Sequence, residues 1–328
     1  MWRFSGAVVM SILISASLFA QNNRSAVSLT GNDAATCTVP DPCRTFTAAL
    51  ARTNSGGEVI VLSSAGYGPF TITQSVSIVS PLAYHAAIAP TSGDAITVSA
   101  DNALVVVRGL TLNGGLGGSN GITFAGAATG SNTRIYVENC TITAFTFNGV
   151  NFARNGMLFI SDLIARENGN AVFIDGSTGL PSAASIDHAL MERSADTGLL
   201  IYNATVAVRD SVAAANNVGF WARTNVSGTT AELTTDNCQA THNFTGFESG
   251  GSAGTGVLTV SNSVAASNFN FGINSTFNGT VRASNNTVTR NGTGLAQIGS
   301  GVFRSRGNNT VDGNATETTG TITPFAGT

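Results

Sequence analysis

The chain from Ala103 onward repeats itself with a period of about 25 residues, and this period restricts the folds that it can adopt. Each repeat contains a short run rich in β-branched residues that closes on an asparagine, aspartate or histidine. The closing residues are Asn139, Asp162, His188, Asp210, Asn237, Asn262, Asn286 and Asn309, with Gly109 in the same place one period earlier. Such a period indicates stacked supersecondary units, because one unit cannot bury its own apolar face.

A second polar position follows each closing residue from Asp162 onward. It is occupied by Asn168, Ser194, Asn216, Asn243, Asn268, Asn291 and Asn314. Asparagine side chains that stack at one strand spacing hydrogen-bond to their neighbours above and below. The pattern therefore predicts a ladder in which Asn216, Asn243, Asn268 and Asn291 point inward at one corner of the fold.

Each repeat also divides into three short extended runs. In the first run alternate positions are apolar, as at Leu258 and Val260, and a later run repeats the pattern, as at Leu199 and Ile201. An alternation with period two indicates strands with one buried face. Three strands per repeat, aligned from one repeat to the next, predict a parallel β-helix that is all-β.

The first 57 residues do not follow the repeat. Residues 1–20 have the features of a secretory signal, with Arg3 before an apolar run that ends at Ala20; a retained membrane anchor is the alternative. Residues 21–57 are predicted to form an N-terminal cap, in which a helix within residues 44–54 buries Phe46, Ala49 and Leu50 and stops at Gly56 and Gly57. The β-helix is predicted over residues 58–323, followed by a C-terminal tail at 324–328.

Composition excludes several activities. All fifteen cationic residues are arginine, so a Walker A phosphate loop and a Schiff-base mechanism, which both need lysine, are excluded. The net charge is −3 and no basic patch emerges, so nucleic acid is not an expected partner.

The four cysteines are predicted to behave differently. Cys37 and Cys43 flank a proline-containing turn and are expected to form a disulfide, as an exported protein permits. Cys140 and Cys238 hold the same register four repeats apart, so they are not expected to bond.

A resemblance to the pectate-lyase-like, right-handed parallel β-helix superfamily is carried by the segment PCRTFTAALARTNSGGEVIVLSSAGYGPFTITQSVSIVSP and by repeats such as VLTVSNSVAASNFNFGINST. The resemblance implies a single-stranded, right-handed solenoid of about eleven or twelve coils with an N-terminal capping helix. The superfamily includes lyases, hydrolases, epimerases, esterases, tailspikes and surface proteins without catalytic activity, so the resemblance leaves the activity open.

The resemblance places an active groove on the outer face of the first strand of each coil. The outward position before the closing residue is occupied by Arg108, Glu138, Ser161, Asp187, Arg209, Asp236, Ser261 and Asn285. Asp187, Arg209 and Asp236, here called the charged face, have His188 and Asp210 beside them. As a catalytic site, the arginine would act as base or as ligand of a sugar carboxylate, and the aspartates would hold calcium. The favoured alternative is a surface ladder of opposite charges.

A second outward set is apolar. Phe173, Leu200 and Trp221, here called the apolar strip, lie on three consecutive coils, and Asp175, Tyr202 and Arg223 follow two residues later. Phe173, Leu200, Trp221, Tyr202 and Arg223 suit a sugar ligand. Cover by a loop or tail, or contact with another subunit, is the favoured alternative.

Together these features predict an exported protein, secreted or held at the cell surface or in the periplasm, that does not span a membrane after signal removal. The expected role is that of a structural or binding protein directed to polysaccharide, with no cofactor and no metal. The alternative is a polysaccharide lyase, and calcium would be needed only in that case.

Overall fold

The computed structural model describes residues 21–125, 132–176 and 182–325, so the predicted signal segment lies outside the described residues. The backbone winds into three parallel sheets, and each complete coil contributes one strand to each sheet. The solenoid is right-handed, as the resemblance implies.

Sheet 1 contains the first strand of each coil. Its strands are β1 (Asn22–Val27), β2 (Thr53–Val61), β5 (Val76–Val79), β8 (Leu104–Arg108), β11 (Arg134–Glu138), β14 (Gly156–Ser161), β17 (Ser182–Asp187), β20 (Ala204–Arg209), β23 (Thr230–Asp236), β26 (Thr255–Ser261), β29 (Gly279–Ser284), β32 (Val302–Ser305) and β35 (Ile322–Pro324).

Sheet 2 contains the second strand of each coil. Its strands are β3 (Ala65–Gly66), β6 (Ala86–Ile88), β9 (Leu110–Asn113), β12 (Thr141–Thr143), β15 (Ile164–Arg166), β18 (Leu190–Glu192), β21 (Val212–Ala214), β24 (Gln239–Thr241), β27 (Val264–Ala266), β30 (Thr287–Thr289) and β33 (Thr310–Val311).

Sheet 3 contains the third strand of each coil. Its strands are β4 (Phe70–Ile72), β7 (Ile96–Val98), β10 (Ile122–Phe124), β13 (Asn148–Phe152), β16 (Asn170–Asp175), β19 (Thr197–Tyr202), β22 (Val218–Thr224), β25 (Thr245–Gly251), β28 (Phe271–Ser275), β31 (Thr293–Gln297) and β34 (Thr316–Thr319). Sheets 2 and 3 have 11 strands each and sheet 1 has 13, so the described residues form eleven complete coils flanked by β1 and β35.

The N-terminal cap contains the predicted helix, α1 (Phe46–Ala51), with Phe46, Ala49 and Leu50 buried. The Thr45 hydroxyl accepts a hydrogen bond from the Ala48 amide and so caps the first turn. The predicted stop at Gly56 and Gly57 is wrong, because α1 ends at Ala51 and both glycines lie inside β2. The strand begins early because β1, which the sequence patterns did not reveal, pairs with it from Thr53 onward.

The cysteines behave as predicted. Cys37 and Cys43 form a disulfide with their Cα atoms 4.6 Å apart. Cys140 and Cys238 are free and buried, and burial raises the pKa of each thiol to about 11. Both are therefore unreactive core residues at neutral pH.

The first corner of each coil confirms the repeat but corrects its register near the C-terminus. Ser261 pairs with Ser284, so the left-handed Asn285 (φ 55°) is the equivalent of Asn262 (φ 52°). The assignment of Asn286 and Asn309 to this corner is wrong, because Asn286 lies one residue after the left-handed Asn285 and Asn309 lies two residues after the left-handed Gly307 (φ 76°). The outward row likewise ends at Ser284 and not at Asn285.

The second corner contains the predicted asparagine ladder. Each side chain amide donates to the Oδ1 of the next, over 3.1 Å from Asn216 to Asn243, 3.2 Å from Asn243 to Asn268 and 2.8 Å from Asn268 to Asn291. The same Oδ1 atoms accept the backbone N–H of the preceding asparagine. All four residues are buried, so the prediction is confirmed.

The sharp turn at this corner is made by the residue before the ladder asparagine. Positive φ angles are found at Glu167, Arg193, Ala215, His242, Ser267 and Arg290. Apart from histidine, these residue types have no special preference for left-handed backbone, and each such conformation carries a cost. The ladder holds the turn because each asparagine bonds both the coil before it and the coil after it.

We expect that Asn243→Leu lowers the free energy of unfolding by about 1–3 kcal/mol, because it removes the acceptor of the buried backbone N–H of Asn216 and of one of its side-chain N–H groups. Urea denaturation of the full chain measures the effect. Asn217→Leu is the matched control, since Asn217 is the exposed neighbour of a ladder residue. Equal destabilisation by the two changes would contradict a structural role for the ladder.

Candidate functional site

The charged face lies where the sequence predicts, on the outer face of sheet 1. Asp187, Arg209 and Asp236 occupy paired positions on β17, β20 and β23. Nη2 of Arg209 lies 2.5 Å from Oδ2 of Asp187, and Nε of the same arginine lies 3.3 Å from Oδ2 of Asp210. Asp236 instead accepts a hydrogen bond from the amide of Asn262. The three residues border a shallow cavity of about 370 Å³.

The electrostatics of this face are those of a surface ion pair. The hydrogen bond from Arg209, together with its charge, lowers the pKa of Asp187 below its usual range. The same contact raises the pKa of Arg209. An arginine that acts as a base must lose a proton, and a raised pKa opposes that loss. The geometry therefore matches the surface ladder of opposite charges better than a catalytic site.

The residues beside the ion pair offer a partial cation site. Ligand atoms of Asp187, His188 and Asp210 lie within 4.8 Å of one another, and Nδ1 of His188 is 2.8 Å from Oδ1 of Asp187. Calcium takes six to eight oxygen ligands, whereas this set contains an imidazole and a carboxylate already bound to arginine. The residues present do not fit the calcium site of the lyase hypothesis.

The apolar strip lies on the outer face of sheet 3, on β16, β19 and β22, with its members in register. Leu200 is only 5% exposed, so it forms the floor of the strip, whereas Phe173 and Trp221 are half-buried. Tyr202 and Arg223 form the next row outward and are also half-buried. The strip is thus neither fully open nor sealed by a segment of the described chain.

Arg223 connects the aromatic rings of this surface. Its guanidinium lies 4.6 Å from the centre of the Trp221 ring and 5.8 Å from that of Tyr202. Tyr202 packs edge-on against Phe173 with ring centres 5.6 Å apart. Cation–π and edge-to-face contacts of this kind fix the rings in place, which creates a rigid aromatic surface.

Two clefts flank these rings along the helix axis. The N-terminal cleft, of about 320 Å³, is lined by Phe147, Asn170, Phe173, Asp196 and Tyr202 among others. The C-terminal cleft, of about 420 Å³, lies between Trp221 with Arg223 on one side and the exposed Phe277 on the other. Its lining also includes Gly250 and Gly251, where a side chain at Gly250 would collide with Thr276. The strip and the two clefts form one continuous outer surface.

The sequence patterns did not identify two residues of this surface. Glu248 pairs with Trp221, and Asn274 pairs with Glu248, so the outward row continues for two more coils. The repeat spacing could have identified both residues, since each lies 26 or 27 positions after its predecessor in the row. They were not recognised because the side chains of the row change from aromatic to polar at Glu248.

We expect that Arg209→Gln raises the pKa of Asp187 towards its usual range, because the change removes the largest cause of the lowered value. NMR titration of the Asp187 carboxyl measures it. In the natural chain the lowered pKa of Asp187 stabilises the folded state. This stabilisation is fully present at a pH above the pKa of Asp187 in the unfolded chain, and it is lost as the pH falls through the pKa of Asp187 in the folded chain. The thermal midpoint at neutral pH should change little, since the pair lies at the surface and the Arg209 side chain is largely exposed.

The control is Arg282→Gln, which removes an outward arginine three strands further along sheet 1. It should leave the titration of Asp187 unaltered. An unchanged Asp187 titration in Arg209→Gln would mean that the ion pair does not form in solution.

No protein-family model matches the chain, and no curated protein sequence matches it. Solved structures do match its fold. The A-module of mannuronan C-5 epimerase AlgE6 from Azotobacter vinelandii is 14% identical, with 83% of this chain and 92% of that chain covered and a TM-score of 0.61. Pectate lyase Pel9A is 15% identical over 91% and 80% of the two chains, with a TM-score of 0.55. The Dettilon tailspike protein is 10% identical over 91% and 68%, with a TM-score of 0.53. The likeness to these structures shows the fold of this chain, which is a right-handed parallel β-helix.

Proposed function

We propose that the protein is an exported surface protein that binds carbohydrate through the apolar strip and the two clefts beside it. The observation that carries this proposal is the arrangement at Trp221. Its ring is half-buried beneath Arg223 and borders the C-terminal cleft. An aromatic ring held by a cation–π contact at the edge of a cleft offers a ligand a rigid stacking surface.

The chemistry of the surface suits sugars. A sugar ring has an apolar face, formed by its C–H groups, and an edge of hydroxyl groups. Phe173, Tyr202 and Trp221 offer aromatic faces, while Asn170, Asp196 and Arg223 offer hydrogen-bonding groups in the same clefts. Sites for small ligands combine an apolar lining with a few placed polar groups in this way.

The extent of the surface suits a polymer. The N-terminal cleft includes residues from β13 to β19, and the C-terminal cleft begins at β22 and continues to Ser300 beyond β31. Strands in a sheet are about 4.8 Å apart, so the surface extends over several sugar lengths along the axis. The structures with the same fold include an epimerase of mannuronan and a pectate lyase by their names, which supports a polysaccharide as the ligand.

Export is supported by two features. The Cys37–Cys43 disulfide belongs in an oxidising compartment. The first twenty residues have the signal features described above. Among the described residues, no helix is long and apolar enough to cross a membrane.

The lyase alternative has less support from the geometry. It requires Arg209 to act on a substrate, but Arg209 is bound to Asp187 and Asp210 and its pKa is raised. We therefore place the ligand on sheet 3 and not on the charged face of sheet 1.

We expect that Trp221→Ala weakens polysaccharide binding by about 1–3 kcal/mol, because aromatic anchors dominate such surfaces. A glycan array identifies the ligands of the natural chain, and calorimetry with the strongest of them measures the loss. Thermal unfolding of the variant shows whether the fold persists.

Tyr136→Ala is the matched control. Tyr136 stacks on Phe159 on the outer face of sheet 1, with ring centres 4.6 Å apart, so its removal deletes an aromatic side chain far from the clefts. If Trp221→Ala lowers the thermal midpoint and leaves affinity unchanged, the strip is a packing surface and the proposal fails.

A further inference from the structure

The two clefts beside the apolar strip differ in charge. Arg223 is the only charged side chain among the described residues that line the C-terminal cleft. Asp196 is the only charged side chain in the described lining of the N-terminal cleft. The other lining residues have aromatic, aliphatic, hydroxyl or amide side chains or are glycine. One cleft therefore presents a cation to a ligand, whereas the other presents an anion.

Arg223 is fixed in position but has no acidic partner. Its guanidinium lies over the rings of Trp221 and Tyr202. Although the side chain is half-buried, it forms no ion pair and no hydrogen bond with another described residue. A guanidinium has five N–H donors in a rigid fork that matches the two oxygens of a carboxylate. Arg223 is therefore a positioned donor for which the described chain supplies no acceptor.

Neither carboxyl group near Arg223 replaces this acceptor. Asp175 lies in the same outward row, but Tyr202 stands between the two, so their Cα atoms are about 9.6 Å apart, twice the strand spacing. Glu248 lies on the next coil, in the neighbouring row that contains Trp221. Burial raises the pKa of Glu248 to about 7, so this carboxyl group is only partly ionised at neutral pH. An anionic ligand thus meets a cation that the protein compensates only in part.

The rest of the C-terminal cleft suits a sugar ring. Hydroxyl and amide side chains line it beside the guanidinium, at Ser252, Thr276, Asn278 and Ser300. Trp221 and the exposed Phe277 lie on its two sides, two coils apart. Two strand spacings are about 9.6 Å, and a ring in van der Waals contact with an aromatic face on each side occupies about 7–8 Å. The cleft therefore has room for one sugar ring whose carboxylate contacts Arg223.

The N-terminal cleft suits an uncharged sugar unit instead. Its walls are aromatic and include Phe147, which is 59% exposed. Arg193, the cation nearest along the chain to Asp196, is already paired with Glu167 over 3.2 Å. A carboxylated unit in this cleft would face Asp196 without a compensating cation, and such a juxtaposition of like charges disfavours binding.

We propose that this surface binds a mixed polysaccharide, in which an acidic unit occupies the C-terminal cleft with its carboxylate on Arg223 and an uncharged unit occupies the N-terminal cleft. The inference rests on the proposed function and specifies the ligand class of the same surface. A chain that is acidic throughout places a carboxylate against Asp196, and a chain without acidic units leaves Arg223 without a partner. The two clefts together thus select a chain that contains both kinds of unit.

The test is calorimetry of the full chain with hexasaccharides that differ in charge pattern. The hyaluronan hexasaccharide alternates acidic and uncharged units, hexagalacturonate and hexamannuronate are acidic throughout, and cellohexaose and xylohexaose carry no charge. The hyaluronan probe should bind about tenfold more tightly than the probes of either uniform class. Its affinity should fall as the salt concentration rises from about 0.05 M to about 0.5 M, since the contact with Arg223 is electrostatic.

Variants of Arg223 test the acidic subsite. Arg223→Gln removes the charge, so it should lower affinity for the hyaluronan hexasaccharide by about tenfold and abolish the salt dependence. Arg223→Lys keeps the charge and should retain the salt dependence, which separates an electrostatic contact from a merely structural role. Arg282→Gln is the matched control, because it removes an exposed arginine from the outer face of sheet 1 and should leave both readouts unaltered.

A variant of Asp196 tests the uncharged subsite. Asp196→Asn keeps the shape of the side chain and removes the like charge from the N-terminal cleft. It should therefore raise affinity for hexagalacturonate and reduce the preference of the protein for the hyaluronan hexasaccharide over this probe. An unchanged preference in this variant would mean that Asp196 does not exclude acidic units.

The outcomes separate the two proposals. Tightest binding of a neutral probe, or hyaluronan binding that Arg223→Gln leaves unchanged, would overturn the role of Arg223 and leave the carbohydrate site standing. Tightest binding of a probe that is acidic throughout would overturn the mixed ligand class. Where the glycan array identifies other ligands, their charge patterns decide in the same way. Binding of none of these probes, together with an empty array, would overturn both proposals. The probe comparison uses the natural chain, so it decides the inference even if a variant does not fold.

Discussion

Hydrogen bonds between neighbouring coils fix the rise of this solenoid at one strand spacing, and the other features of the structure depend on that constraint. Because each strand pairs in register with the next, equivalent residues stand directly above one another. Any residue type that recurs at one position is forced into a ladder, whether it is apolar, charged or an amide. Buried asparagines satisfy this geometry well, since each amide group both donates and accepts along the axis. The same constraint places Arg209 beside Asp187 and Trp221 beside Leu200.

The two ends of the solenoid differ from its middle because a terminal coil has a neighbouring coil on one side only. At the N-terminal end β1 adds a strand and α1 buries Phe46 against the first coil. At the C-terminal end the interior position held by Leu295 is taken by Thr318, so the last coil offers little apolar surface for stacking. Proline at the end of β35 also removes a backbone donor from the terminal edge. Such features discourage the edge-to-edge association that an open sheet invites.

The repeat predicted most of the fold, because period and alternation are direct consequences of coil stacking. It predicted the inward ladder and the position of the charged face for the same reason. The prediction of the register failed where two adjacent residues were of the same type. Either Asn285 or Asn286 could occupy the corner by its residue type, and only the pairing of Ser261 with Ser284 shows that it is Asn285. The burial of Leu200 and the pairing of β1 depend on side chains and segments distant in sequence, so no local pattern contains them.

The two outer faces show why a constellation of charges was a weak guide to function. On sheet 1 the charged residues are largely paired with one another, because Arg209 neutralises Asp187 and Asn262 donates to Asp236. On sheet 3 the aromatic rings of Phe173, Tyr202 and Trp221 instead border two clefts. Opposite charges at one repeat spacing are easy to recognise in a sequence, although a surface ion pair contributes little to stability and need not have a ligand. The aromatic surface becomes visible only when the register and the burial of its members are known.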